Sequence, residues 1–273
     1  MKIEAIEPHG FCAGVTAALK KALALCGNGA VYCLHELVHN EIVVADLRSR
    51  GFVFVEDVSA VPEGSTLLFS AHGVSPAVRA EAAARRLKVV DATCPFVARV
   101  HDAAREFAAK GLAVVVIGNP GHAEVKGIVG EVPDAVVVRD AAEASALASP
   151  VAGSAIGVVS QTTMNSDEVE AVVAVLRGRF EVETTAEVCR ATKVRQDAVR
   201  AFTGDALLVL GSANSSNTRR LCEVARCRTF RAATLEEVSS LDLAGVGTLG
   251  VTSGASTPES FFAEAVKLLR ART

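Results

Sequence analysis

The stretch KVVDATCPFVARVHDAAREFAAKGLAVVVIG, residues 88–118, holds the pattern on which the whole chain is built. Residues 88–93 predict a strand, 96–110 carry apolar side chains at helical spacing, and 112–118 predict a second strand without a charge in it. Strand, helix and strand in this order make the repeating unit of parallel α/β folds, whose strands are covered on both faces. The same alternation runs outward in both directions. It predicts strands at 2–6, 31–34, 66–71, 154–160, 181–185, 206–211 and 246–253. The helices expected between them cover 14–26, 40–50, 76–87, 166–178, 190–203, 216–227 and 258–271. Ser75 before Pro76 is a helix start, a capping hydroxyl followed by proline at the first helical position. Ligands of such folds sit beyond the carboxyl ends of the strands.

Composition narrows the function. Half of the 273 residues are apolar, yet aromatics amount to 11 Phe and one Tyr, so Val, Ala and Leu must fill the core. A formal charge of −3 offers none of the concentrated positive charge that a nucleic acid partner demands. No apolar run approaches the roughly 20 residues of a membrane helix, and no signal peptide opens the sequence. A cytoplasmic protein, without membrane or nucleic acid partners, is expected.

Seven cysteines in a reducing compartment are buried small residues or metal ligands rather than disulfides. Three share a setting: Gly10-Phe11-Cys12-Ala13-Gly14, Asp91-Ala92-Thr93-Cys94-Pro95 and Glu187-Val188-Cys189-Arg190. Each follows a strand and precedes a helix that soon carries a base, Lys20, Arg99 or Lys193. Helix N-terminal amides there favour a thiolate and can donate to cluster sulfurs. Taken singly, each is more readily read as a buried small residue, and it is the three matched junctions that shift the balance towards a ligand. Cys26, Cys33, Cys222 and Cys227 fall within helix or strand patterns and are read as packing residues. The absence of any Cys-x-x-Cys pair excludes zinc-ribbon and ferredoxin motifs. Three scattered thiols would instead leave one iron of a cubane cluster open, as a Lewis acid. Their spacing divides the chain into three lobes, 14–94, 95–188 and 189–273, with residues 1–13 a strand that packs with the third.

Polar groups gather at the same strand ends. His39, His72 and His122 each follow an apolar strand by a short step, and Glu124 stands beside His122, where enclosure would raise its pKa. The runs 211–218, 252–258 and 160–163 bring hydroxyls and amides to strand-to-helix turns that suit phosphate. No Walker or Rossmann fingerprint is present, so a nucleotide is not implied. His9, His35 and His101 are read as capping or turn histidines.

With these residues assembled, the sequence closely resembles the 4-hydroxy-3-methylbut-2-enyl diphosphate reductase family, which acts last in the non-mevalonate isoprenoid pathway. The matching segments are Gly10–Val15, His35–Asn40, Phe69–Val74, Asp91–Pro95, Gly121–Glu124 with Gly127, Gln161–Thr163, Gly211–Asn217 and Gly250–Pro258, in the family's order. The resemblance implies a trefoil of three α/β lobes around one central 4Fe–4S cluster, bound by Cys12, Cys94 and Cys189, with one open iron for the substrate alcohol. It implies that His39, His72, His122, Ser215, Ser216, Asn217 and Ser256 hold the diphosphate, and that Glu124 with Thr162 relays protons. Removal of the hydroxyl as water would give isopentenyl and dimethylallyl diphosphates, with single electrons from a ferredoxin or flavodoxin. The chain departs from the family pattern at Thr16-Ala17 (usually Asp-Arg), at Ala123 (usually Pro) and at Arg190 (usually Tyr). No named ligand is lost by these changes.

Two other readings share the three thiols. A quinolinate-synthase-like or dehydratase-like cluster enzyme would not need the hydroxyl-rich runs at 211–218 and 252–258. A non-catalytic cluster sensor would need neither those runs nor Glu124.

Overall fold

The structure, a computed structural model, describes residues 1–27, 29–147 and 155–272. Residue 154, the expected first residue of a strand, lies outside them. In chain order the elements are β1 (Lys2–Ala5), α1 (Ala13–Leu23), β2 (Val31–Leu34), α2 (Glu41–Ser49), β3 (Phe52–Val55), β4 (Thr66–Phe69), α3 (Pro76–Ala84) and β5 (Lys88–Asp91). Next come α4 (Pro95–Ala109), β6 (Ala113–Ile117), α5 (Ala123–Glu131), β7 (Val136–Val138), α6 (Ala141–Ala146), β8 (Ala155–Ser160), α7 (Ser166–Arg177) and β9 (Glu181–Thr184). The last are α8 (Arg190–Ala201), β10 (Ala206–Leu210), α9 (Ser216–Val224), β11 (Arg228–Ala232), α10 (Leu235–Ser239), β12 (Thr248–Ser253) and α11 (Glu259–Ala271).

The strands form three parallel sheets of four, in the orders β5–β4–β2–β3, β9–β8–β6–β7 and β1–β12–β10–β11. The three orders are one topology. In each, the edge strand is the one that leads into a candidate cysteine. The third sheet takes that strand from the start of the chain, with Lys2 opposite Thr248 and Ala5 opposite Val251.

Two compact units are distinguishable. One comprises Met1–Thr16, Val38–Ser49 and the chain from Arg190, and contains the sheet of β1, β10, β11 and β12. The other comprises Ala17–Leu37 and Arg50–Cys189, and contains the other two sheets. All five residues of β10 are buried, as a strand covered on both faces requires. The cores are filled by Val, Leu, Ala and Ile, in keeping with the scarcity of aromatics.

One aromatic that is present demands a glycine opposite it. Phe107 of α4 lies on β8 so closely that a Cβ on Gly157 would stand 2.4 Å from its Cβ and Cγ. Those atoms cannot swing aside as a side-chain tip could. Gly157→Ala is therefore expected to cost about 1–3 kcal/mol of stability in urea unfolding. An unchanged midpoint would show that α4 slides over the sheet without resistance.

The structure adds β3, β7, β11, α5, α6 and α10 to the elements that periodicity predicts. It also shortens some helices: α1 ends at Leu23, ahead of Gly27 at φ +85°, and α9 ends at Val224, leaving Cys227 outside it. No helix among the described residues is long and apolar enough to cross a membrane.

Candidate active site

The candidate cysteines are placed alike to a degree that their spacing only suggests. Cys12, Cys94 and Cys189 each immediately precede a helix, α1, α4 and α8. Each donates its backbone N–H to a carbonyl in the segment that follows a strand: Cys12 to Ala255, Cys94 to Ala71 and Cys189 to Thr162, all at 3.0 Å. Those acceptors come after β12, β4 and β8, which pair with the edge strands β1, β5 and β9. All three thiols are half-buried. The amide of Val15, in the first turn of α1, donates to Cys12 Sγ at 3.5 Å, a helix N-terminus directed at sulfur.

Three of the other cysteines are different in kind. Burial pushes the Cys33 thiol up to about 12 and that of Cys222 up to about 11, and raises Cys227 as well. Such groups resist forming the thiolate that a metal requires. The described residues contain no disulfide. Nor do they contain a group of three or more His, Cys, Asp or Glu side chains arranged to hold a metal ion. That finding bears on a single ion, which draws its donors into contact; a cubane cluster keeps its thiolates at separate corners. Half-exposed thiols at helix starts, each anchored through its backbone, suit the cluster.

In the unit that holds Cys94 and Cys189, α5 begins with the site. His122 caps it, its Nδ1 accepting from the Glu124 amide at 3.2 Å, so the neutral ring carries its proton on Nε2. His72 Nδ1 lies 3.2 Å from Ser70 Oγ, and the His72 and His122 rings meet edge to face with centroids 5.6 Å apart. Glu124 is 2 % exposed. It accepts from the Thr162 amide at 2.7 Å and the Thr162 hydroxyl at 3.1 Å. Burial raises its carboxyl to about 7 against the pull of those two bonds, which favour the charged form. Thr162 thus touches the buried acid with its amide and hydroxyl and a candidate cluster ligand, Cys189, with its carbonyl. Gln161 braces the turn, accepting from the Asn119 amide at 3.1 Å and donating to Thr163 at 2.9 Å.

In the unit that holds Cys12, the polar runs prove to be an interlocked set. Ser215 caps α9 by accepting from the Thr218 amide at 3.3 Å, which leaves its own hydrogen available to donate. Ser215, Ser216, Asn217 and Ser256 are all buried. Asn217 accepts from the Ala255 amide at 2.9 Å, next to the carbonyl segment that anchors Cys12, and donates to Thr192 Oγ1 at 3.4 Å. One amide hydrogen of Asn217 remains for a ligand. Ser256 donates to the His39 carbonyl at 3.0 Å, tying the 252–258 run to the segment that carries His39. Asn40 then caps α2, accepting from the amides of Ile42 and Val43. Close packing enforces glycine nearby: a Cβ on Gly254 would come within 2.2 Å of Thr218 Oγ1.

Several contributors carry no advance signal. Arg195 of α8, 4 % exposed, donates to the Gly10 carbonyl at 2.9 Å, two residues before Cys12. Ser253 accepts from the Gly10 amide at 2.8 Å. Of the histidines set aside, His9 stacks on Phe262 and His35 lies 2.8 Å from Glu56, whereas His101 is deeply buried. The positions that depart from the family pattern are undemanding. Thr16, Ala17 and Arg190 are exposed, and Ala123 occupies the first helical position, where alanine and proline both fit.

Parallel sheets with thiols, a buried acid of raised pKa and hydroxyl-rich helix starts beyond their carboxyl ends are the arrangement of an α/β enzyme. A family model described as LytB protein matches residues 3–270, and the chain belongs to that family. A protein of Acidothermus cellulolyticus named 4-hydroxy-3-methylbut-2-enyl diphosphate reductase is 45 % identical over 93 % of this chain and 78 % of its own length. An Azoarcus protein of the same name is 43 % identical, covering 97 % of this chain and 88 % of its own. The solved E-1-hydroxy-2-methyl-but-2-enyl-4-diphosphate reductase of Plasmodium falciparum superposes with a TM-score of 0.92 at 32 % identity, over 98 % of this chain and 87 % of that one.

Proposed function

We propose that this chain removes the hydroxyl of 4-hydroxy-3-methylbut-2-enyl diphosphate reductively, giving isopentenyl and dimethylallyl diphosphates, with Cys12, Cys94 and Cys189 holding one 4Fe–4S cluster. The observation that carries the reading is Thr162, which joins a buried, protonatable Glu124 to the backbone of Cys189. When bound, such a cluster supplies single electrons and an open iron that takes up an alcohol oxygen.

The chain's own groups supply the rest. The net change is loss of hydroxide from an allylic carbon, gain of two electrons and consumption of two protons, with water released. Glu124, raised to about 7, is shared between its acid and carboxylate forms near neutral pH; as the acid it donates to Thr162 Oγ1, 3.1 Å away, reversing the bond that the carboxylate accepts, while Thr162 passes its own hydrogen to the departing oxygen. The diphosphate is held by donors: Nε2–H of His122, the His72 ring, the Ser215 hydroxyl, Ser216, the remaining Asn217 amide hydrogen and the first-turn amides of α9. His39 belongs to the same set, and Ser256, whose hydroxyl hydrogen goes to the His39 carbonyl, joins it by turning that hydrogen to the ligand. Electrons come singly from a reduced ferredoxin or flavodoxin in the cytoplasm. The proposed lobes are 14–94, 95–188 and 189–273, with residues 1–13 packing with the third; one four-stranded parallel sheet in each supports that division.

Anaerobic reconstitution with iron and sulfide, followed by a reduced one-electron donor and hydroxymethylbutenyl diphosphate, tests the proposal. Isopentenyl and dimethylallyl diphosphates are expected. An intact substrate beside a fully assembled cluster would overturn it, and would turn attention to the sensor reading.

A further inference from the structure

Helix α4 buries a histidine for which the proposed chemistry has no use. His101 is 5 % exposed, and its Nδ1 lies 2.8 Å from Oε1 of Glu131, the last residue of α5. Arg105 reaches the same oxygen at 3.0 Å. The far edge of the ring presses on two glycines. A Cβ on Gly73 would stand 2.9 Å from Nε2, and one on Gly127 would stand 3.1 Å from Cε1. Gly73 follows His72, whereas Gly127 lies one turn beyond Glu124 on the helix that His122 caps. Helix α5 also runs flush against the same loop further on, since a Cβ on Gly130 would meet Ser75 Cβ at 2.2 Å.

His101 Nε2 and Glu131 Oε2 are both buried without a hydrogen-bond partner among the described residues. A leucine would fill the space without that desolvation cost. Filling space is therefore an insufficient account of the histidine. We propose that His101 is a positioning residue. Glu131 and Arg105 fix the plane of its ring, and the ring edge spaces the His72 loop from α5. That spacing sets the edge-to-face His72–His122 pair and the place of Glu124. The inference rests on the functional reading above only for what the pair binds.

The test uses cluster-loaded protein with 15N-labelled histidines, of which the chain has six. His101→Asn keeps a donor for Glu131 and removes the spacing edge. Without any ligand, it is expected to shift the His72 and His122 imidazole resonances. It is also expected to weaken binding of inorganic pyrophosphate on the order of tenfold, as small misplacements of binding groups do. Glu131→Gln, which still accepts from Nδ1, is expected to preserve both readouts. If His101→Asn does not fold, Gly127→Ala carries the same expectation, because its methyl group displaces the ring from the other side. Unchanged imidazole resonances and a pyrophosphate affinity within about twofold of wild type would overturn the proposal. If the wild-type protein binds no pyrophosphate, the functional reading falls, and the resonances alone still decide the role of His101.

Discussion

Cys94→Ser is expected to leave a folded protein that has lost its cluster. The substitution removes one proposed soft ligand and puts a hydroxyl at the cap of α4, where serine is a better capping residue than cysteine. The backbone bond from residue 94 to the Ala71 carbonyl is untouched. Stability of the metal-free protein should therefore hold or rise slightly in urea unfolding. Bound iron and sulfide, and with them turnover, should fall by at least about 100-fold, since even outer contacts of a metal site are worth one to two orders of magnitude. Cys33→Ser supplies the contrast. That thiol is wholly buried in β2, so its replacement is expected to cost about 1–3 kcal/mol of stability and to leave the cluster intact. If both variants kept the cluster, or both lost it, the division of the cysteines into ligands and packing residues would fail.

Glu124→Gln should separate chemistry from assembly. Glutamine can accept from the Thr162 amide as glutamate does and can meet its hydroxyl, yet it carries no exchangeable acid proton. Cluster content and pyrophosphate binding are expected to persist while kcat falls by about 10²–10⁴, the usual worth of a general acid. The same variant has a pH signature without substrate. Burial raises the folded-state pKa from 4.5 to about 7, so folding favours the protonated acid. Its contribution to stability is complete below the unfolded value of 4.5 and is lost as pH rises through 7. Above that window the buried charge costs roughly 3 kcal/mol, on the scale of 1.36 kcal/mol per unit. The difference in unfolding free energy, variant minus wild type, should therefore climb between those two pH values and then level off. A flat difference, or wild-type turnover, would remove Glu124 from the proton path.

How much of this was legible beforehand depends on which atoms carry the information. The three thiols were visible because a strand, a cysteine and a helix start leave a side-chain pattern, and the family resemblance drew them together. The carbonyls of Ala71, Thr162 and Ala255 that anchor them were not, because a backbone acceptor has no preferred residue type. Edge strands β3, β7 and β11 are short and half-solvated, so their pattern is weaker than that of the fully buried β10. Helix α5 escaped notice because Gly127 and Gly130 read as loop, whereas both are required for close approach. His101 had a usable signal: it shares the apolar face of α4 with Val97, Val100, Ala104 and Phe107, where a capping histidine has no place. Asn217 was expected to hold the ligand, and it also ties the Ala255 loop to α8.

The pairing of β1 with β12 sets the order in which this protein can be made ready. During synthesis Cys12 leaves the ribosome long before the carbonyl of Ala255 and the hydroxyl of Ser253 that seat its loop, groups separated from that loop by 243 residues. Residues 38–49 likewise wait for the chain beyond Arg190 to complete their unit. Cys94 and Cys189, with their own partners upstream, can be in place while Cys12 still hangs from an unpaired strand. Domains that close over such long sequence separations form late. On the proposed ligation, iron delivered to the nascent chain would meet two seated thiols and a loose third, and productive loading would follow the docking of β12.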